Sequence, residues 1–214
     1  MPHFLPAPLQ NFFRSTRELP PDECGYDADQ RRPGKRSPDG RLREWQYCRE
    51  IAQALTNALA AKGYQAQRIV DEDTDISLSE RCRRVNEVCK AFGAKNVLLV
   101  SIHNNAAGSG TWKTATGWSG WVYTKGSERS RLLAQYLYKA AEKRGLQGNR
   151  SVPACKYWEA NFYILKHTNC PAVLTENLFQ DNKGEVDYLL SDEGRQNIVD
   201  LHVEGIINYI KSVT

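Results

Sequence analysis

Two short apolar runs in this chain end on side chains able to do acid–base or metal chemistry. The first, "VLLVSIHNNAAGSG" (97–110), passes from branched apolar residues to His103 and then to small residues. The second, "PAVLTE" (171–176), ends on Glu176. An imidazole and a carboxylate at neighbouring strand ends could work as an acid/base pair or could share a metal ion. Zinc hydrolases use three protein ligands of the His and Glu kind, leave a fourth position for water, and add a nearby carboxylate as base. The pair alone does not separate these chemistries, and a solitary strand-end His is more often structural. A carboxylate buried at a strand end without a partner is costly, which favours a functional role for Glu176.

The elements that must position these groups are legible from periodicity. From Glu44, the residues Cys48, Ile51, Ala52, Leu55, Ala58 and Leu59 recur every three or four positions, a helix that Gly63 ends. "YQAQRIV" (64–70) reads as a strand. Ser77 and Glu80 have capping-box spacing and open a helix with Cys82, Val85, Cys89 and Phe92 on its inner face. The strand 97–102 follows, and "GWSGWVYT" (117–124) is strand-like. A helix over 127–144 turns Leu132, Leu133, Tyr136, Leu137 and Ala140 inward. A last helix, 192–211, uses Ile198, Leu201, Ile206, Tyr209 and Ile210. This alternation predicts an α/β fold in one domain, with a largely parallel twisted sheet and helices on both faces. Ligands of such sheets bind at the carboxyl ends of the strands, the place of His103 and Glu176.

With 214 residues, the chain suits one sizeable domain better than two. A 41% hydrophobic and 25% charged composition lies far from that of disordered chains. The net charge of +4 comes without a clustered basic run, so nucleic acid is not expected as partner. No apolar stretch approaches the roughly 20 residues that span a bilayer, and the start "MPHFLPAPLQNFFRS" lacks the pattern of a signal peptide. Stable membrane insertion is not expected, and a chain that stays cytoplasmic until released is. The six cysteines contain no CxxC pair, so buried free thiols are expected rather than a disulfide or zinc–cysteine framework.

"SLSERCRRVNE", "VLLVSIHNNA", "CPAVLTENLFQDN" and "HVEGIINYI" stand in the order and spacing that resemble the zinc-dependent N-acetylmuramoyl-L-alanine amidases. The resemblance runs over about 33–210. It implies a hydrolase that binds peptidoglycan, both glycan strand and stem peptide, and cleaves the amide between N-acetylmuramic acid and the first alanine, as an endolysin or autolysin acting at the cell wall. It further implies that Glu44, in "LREWQYCREIA", and His103 are Zn2+ ligands, and that Glu176 is the catalytic base and acid. For Glu44 alone, a carboxylate favoured by the helix macrodipole is the simpler reading. A monomer is expected.

The sequence departs from that family at its start. Members carry a strand ending in Gly-His-Gly shortly before a segment like "PGKRSPDGRLRE" (33–44); here "ECGYDADQRR" precedes it, and no His lies between His3 and His103. The missing ligand would fall near Ala28. Asp27 or Asp29 could replace it, His3 could reach the site, or residues 1–32 could be an unrelated or disordered segment ahead of an amidase-like catalytic domain at 33–214. The last reading is favoured, because 1–32 shows no buried strand. It brings with it a second functional class, an impaired homologue that binds wall material without cutting it; a hydrolase of the same fold acting on another amide is a third.

Aromatic faces pack on sugar rings. Trp112, Trp118, Trp121, Tyr157 and Trp158 fall in or near loops around the predicted crevice, with Trp112 and Trp158 expected to line it and Trp121 expected in the core. Lys35 and Arg36 could contact stem-peptide carboxylates or wall phosphates, although a solvated loop is the commoner fate of such residues. His167 and His202 read as structural.

Overall fold

The computed structural model describes residues 11–14, 35–72, 76–108 and 110–214. Its strands are β1 (Asn11–Arg14), β2 (Gln65–Arg68), β3 (Val97–Asn105), β4 (Ser119–Val122), β5 (Trp158–Glu159) and β6 (Ala172–Phe179). Its helices are α1 (Glu44–Ala61), α2 (Leu78–Phe92), α3 (Glu128–Glu142), α4 (Tyr163–Lys166), α5 (Lys183–Leu190) and α6 (Asp192–Val213). The strands form one sheet in the order β2-β1-β3-β6-β4-β5. All ladders are parallel except β4 on β6, so the expected α/β architecture holds with one antiparallel join.

β3 and β6 run through the centre and are buried on both faces, which is why they read as continuous apolar runs rather than alternating ones. Their residues still alternate between two cores. Leu98, Val100, Ile102 and Val173 face one core with α1, α3, α5 and α6, while Val97, Leu99, Ala172 and Leu174 face the other with α2 and α4. Helices therefore cover both faces. On the second face, the apolar packing of β3 and β6 stops at Leu99 and Leu174; the next side chains on that face are Ser101, His103 and Glu176.

Two expectations are corrected. The stretch 1–32, read as lacking a buried strand, supplies β1, which lies between β2 and β3 in parallel register with both. Four residues are too few to show periodicity, and an inner strand gains its ladder hydrogen bonds from two neighbours whatever its composition. The other correction is Phe92, which is 53% exposed. It closes α2, where the chain turns away at Gly93 with φ +84°. The capping box is half formed. Ser77 Oγ accepts from Glu80 N, but the Glu80 carboxylate pairs with Arg83 and Arg84 instead of reaching back. Of the described cysteines, Cys48, Cys82, Cys89 and Cys170 are the buried free thiols expected, whereas Cys155 is a free thiol on the exposed loop before β5.

Candidate active site

Glu44 is the first residue of α1, and the turn before it fixes its place. Gly40 N donates to Ser37 O (2.9 Å), Ser37 N donates to Leu42 O (2.9 Å), and Glu44 N donates to Lys35 O (3.0 Å). Gly40 has φ +72°, a conformation glycine adopts without strain. This compact turn aims the Glu44 carboxylate inward, where it is only 2% exposed. Oε1 accepts from Asn104 N (3.3 Å) and lies 3.2 Å from His103 Nδ1; Oε2 lies 3.5 Å from Gln180 Nε2. A buried carboxylate surrounded by donors in this way is held rather than merely favoured by the helix dipole.

His103 is gripped at both ring nitrogens, with Nε2 2.9 Å from Ser101 Oγ, two residues back on the same strand face. Across the parallel ladder, His103 pairs with Glu176; across the antiparallel ladder, Glu176 pairs with Ser119. Ladder partners point to one face, so His103, Glu176 and Ser119 form a row over three adjacent strands. Just beyond this row the β3–β6 register shifts, and Leu178 takes φ +63°, a left-handed conformation that strains a branched residue. Asn177 holds the irregularity. Its Nδ2 donates to His103 O (3.0 Å), its Oδ1 accepts from Trp118 Nε1 (2.8 Å), and its carbonyl accepts from Asn104 Nδ2 (2.6 Å).

Below the row, Asp181 Oδ2 accepts from Ala107 N and Gly108 N (both 2.9 Å), closing the small-residue loop onto the end of β6. Glu185, at the start of α5, accepts from Gly117 N and Phe179 N (both 2.7 Å), tying the approach to β4 to the end of β6. Burial raises the Glu185 carboxyl from 4.5 to about 7, against the pull of those two backbone donors and with a further push from Asp181.

The structure brings Glu44, His103 and Glu176 together. Trp158 is half-buried on β5, its ring 6.0 Å from that of Trp121. Trp118 belongs to the core at 1% exposed, and Trp121 is partly buried against the second core, as expected. Trp112 is exposed on the loop before β4, and among the described residues no hydrogen bond or ring contact joins it to the row. Lys35 and Arg36 are exposed; Arg36 bridges to Arg43 in the turn that presents Glu44. His202 is fully buried between Thr175 Oγ1 (3.0 Å) and Ile198 O (2.7 Å), a structural histidine. Sequence reading missed Ser101, Ser119, Asn177 and Gln180. The missed side chains are uncharged and gain meaning only from neighbours distant in the chain.

Zinc demands a ligand spacing that two of these donors meet. Two ligands of a tetrahedral zinc with bonds of about 2.0–2.1 Å lie about 3.3 Å apart, and His103 Nδ1 and Glu44 Oε1 stand 3.2 Å apart. The spare ring nitrogen already has the outer partner, Ser101 Oγ, that metal-bound histidines use. These two donors fit. Among the described residues there is no group of three His, Cys, Asp or Glu able to hold a metal. His3, Asp27, Asp29 and the position near Ala28 lie outside the described residues.

A family model described as N-acetylmuramoyl-L-alanine amidase matches residues 25–208. An endolysin of Bacillus phage SPP1 is 34% identical over 142 residues, covering 64% of this chain and 46% of that protein. The N-acetylmuramoyl-L-alanine amidase CwlM of Bacillus licheniformis is 28% identical over 171 residues, covering 77% of this chain and 59% of its own. The chain thus spans about half the length of these curated relatives. The crystal structure of N-acetylmuramoyl-L-alanine amidase from Clostridium difficile 630 superposes with a TM-score of 0.75 at 26% identity, covering 97% of this chain and all of that one. With the family model spanning most of its length and its sheet superposing on that enzyme, the chain belongs to the N-acetylmuramoyl-L-alanine amidase family.

Proposed function

We propose that the chain hydrolyses the amide between N-acetylmuramic acid and the first alanine of the peptidoglycan stem peptide, with zinc as its metal and Glu176 as general base and acid. The observation that supports this best is the convergence of Glu44 and His103, 3.2 Å apart, beside Glu176 at the carboxyl ends of the central strands. Glu44 and His103 would hold the zinc. Bound there, zinc would polarise the amide carbonyl and ease deprotonation of water.

The chain's own residues divide the remaining work. Glu176 takes a proton from the attacking water and delivers it to the leaving alanine nitrogen. Ser101 fixes the rotation of the His103 ring, and Asn104 N and Gln180 keep the Glu44 carboxylate facing it. Asn177 clamps the His103 carbonyl, so that β3 and β6 hold their ends at one height. The glycan strand and stem peptide lie across the row, and the chain acts where that polymer is, at the cell wall.

Purified sacculi test this directly. The wild-type chain should release stem peptides, dialysis against a chelator should stop the release, and added zinc should restore it. Retained binding to sacculi with no release under any of these conditions would instead support a wall-binding homologue without hydrolytic activity.

A further inference from the structure

Arg150 stands beside the row that carries Glu176, and nothing in the proposed hydrolysis uses it. Its guanidinium carbon lies 5.3 Å from the centre of the Trp158 ring and 5.5 Å from that of Phe179. Its Nη1 is 3.5 Å from Ser119 Oγ, and Ser119 is the ladder partner of Glu176. Several other arginines are committed to carboxylates, as Arg84 is to Glu72 and Glu80, and Arg131 to Glu128 and Glu159. Among the described residues no carboxylate pairs with Arg150.

The position is built rather than accidental. Gly148, with φ +70°, packs so closely on the chain at Thr116 and Gly117 that a Cβ there would run into the Thr116 carbonyl oxygen. Asn149 then bonds the same segment three times, through Thr116 N (3.0 Å), Thr116 Oγ1 (2.9 Å) and Thr114 O (2.8 Å). The residue before Arg150 is thereby pinned to the chain entering β4. A guanidinium lying against aromatic faces keeps its in-plane N–H edge for a planar anion, and partial burial strengthens that contact.

Topology gives the direction. Glu44 and His103 lie on the β3 side of Glu176, whereas Arg150 lies on the β4 side. A peptide leaving from the scissile amide near His103 and crossing β6 to β4 covers two strand spacings, about 10 Å, or about three extended residues. We propose that Arg150 binds a free carboxylate of the stem peptide about three residues beyond the scissile bond, and so makes the enzyme prefer a carboxylate there over a carboxamide. This rests on the amidase reading above.

The test uses two synthetic muramyl peptides that differ only in carboxylate or carboxamide at the third residue. Zinc-loaded wild-type chain should cleave the carboxylate form with a kcat/KM roughly tenfold or more higher, expressed mainly in KM. Arg150→Gln should bring the ratio for the pair close to one. Arg150→Lys, which keeps the charge and the apolar stem against Trp158, should retain part of the preference and serves if the glutamine variant does not fold. Equal cleavage of both substrates by the wild type, or an unchanged preference in a folded Arg150 variant, overturns the proposal while leaving the amidase reading standing. Cleavage of neither substrate by the wild type removes the amidase reading, and this one with it.

Discussion

Glu44, His103 and Glu176 differ in what a substitution should reveal. Glu176 is half-buried in the second half of β6 and is the group proposed to move the proton, so Glu176→Gln should lower stem-peptide release by about 10²- to 10⁴-fold with little change in melting temperature. Loss of activity accompanied by unfolding would point to a structural carboxylate instead. His103→Ala leaves the Glu44 carboxylate buried beside an empty space, and equilibrium dialysis should show weaker zinc binding; unchanged binding would remove His103 from the ligand set. His103 and Glu176 were legible because an apolar run ending on a reactive side chain, in a parallel sheet, marks the crevice. Glu44 was ambiguous, since a carboxylate in a first helical turn is ordinary. Its place beside His103 shows only through contacts with Asn104 N and His103, some sixty positions away in the chain. Arg150 carries no local signal at all; it becomes conspicuous once Trp158 and Phe179 close around it.

At the scale of elements, periodicity located α1, α2, α3 and α6 and the two long strands, because each buries a regular face. It missed the four-residue β1 and the short α5, where too few residues repeat for a period to show. The end of β6 is also invisible to periodicity, since its register shift and the left-handed Leu178 come from the buried bonds of Asn177. Asn177→Ala strips acceptor and donor partners from Trp118 and His103, and a loss of about 1–3 kcal/mol per unsatisfied buried group is expected in denaturant unfolding. A loss below half a kcal/mol would show that the bulge holds itself. Glu185 makes the junction of α5, β4 and β6 sensitive to pH. Its folded pKa of about 7 lies above the ordinary 4.5, so between those values the unfolded chain binds fewer protons and stability falls as pH rises. The contribution is full below about pH 4.5 and is lost as pH passes about 7, on the order of 3 kcal/mol at most. Glu185→Gln, neutral throughout, should flatten this part of the stability profile between pH 5 and 8; a profile parallel to wild type would assign the pH dependence elsewhere.

For the molecule as a whole, the order of strands decides which parts are dispensable. β2 pairs with β1 alone, and β1 is one of the two neighbours of β3. A chain beginning at residue 33 therefore loses an inner strand and leaves β2 unpaired, and its thermal unfolding followed by circular dichroism should lose cooperativity. A melt as sharp as that of the full chain would mean that residues 1–32 stand apart from the domain. The overall α/β architecture was readable because it depends on the alternation of long elements, while the place of the four-residue β1 depended on pairing with β2 and β3, which are distant in the chain. The same architecture brings one carboxylate from a helix start, one imidazole from a central strand and one carboxylate from its neighbour together toward the carboxyl ends of the central strands. The most direct test of their joint purpose is mass spectrometry of peptidoglycan fragments after incubation with the zinc-supplemented chain. Hydrolysis at the proposed bond yields muramic acid with a free lactyl carboxylate and stem peptides with a free alanine amine. Fragments left intact, or cut at any other bond, would contradict the account.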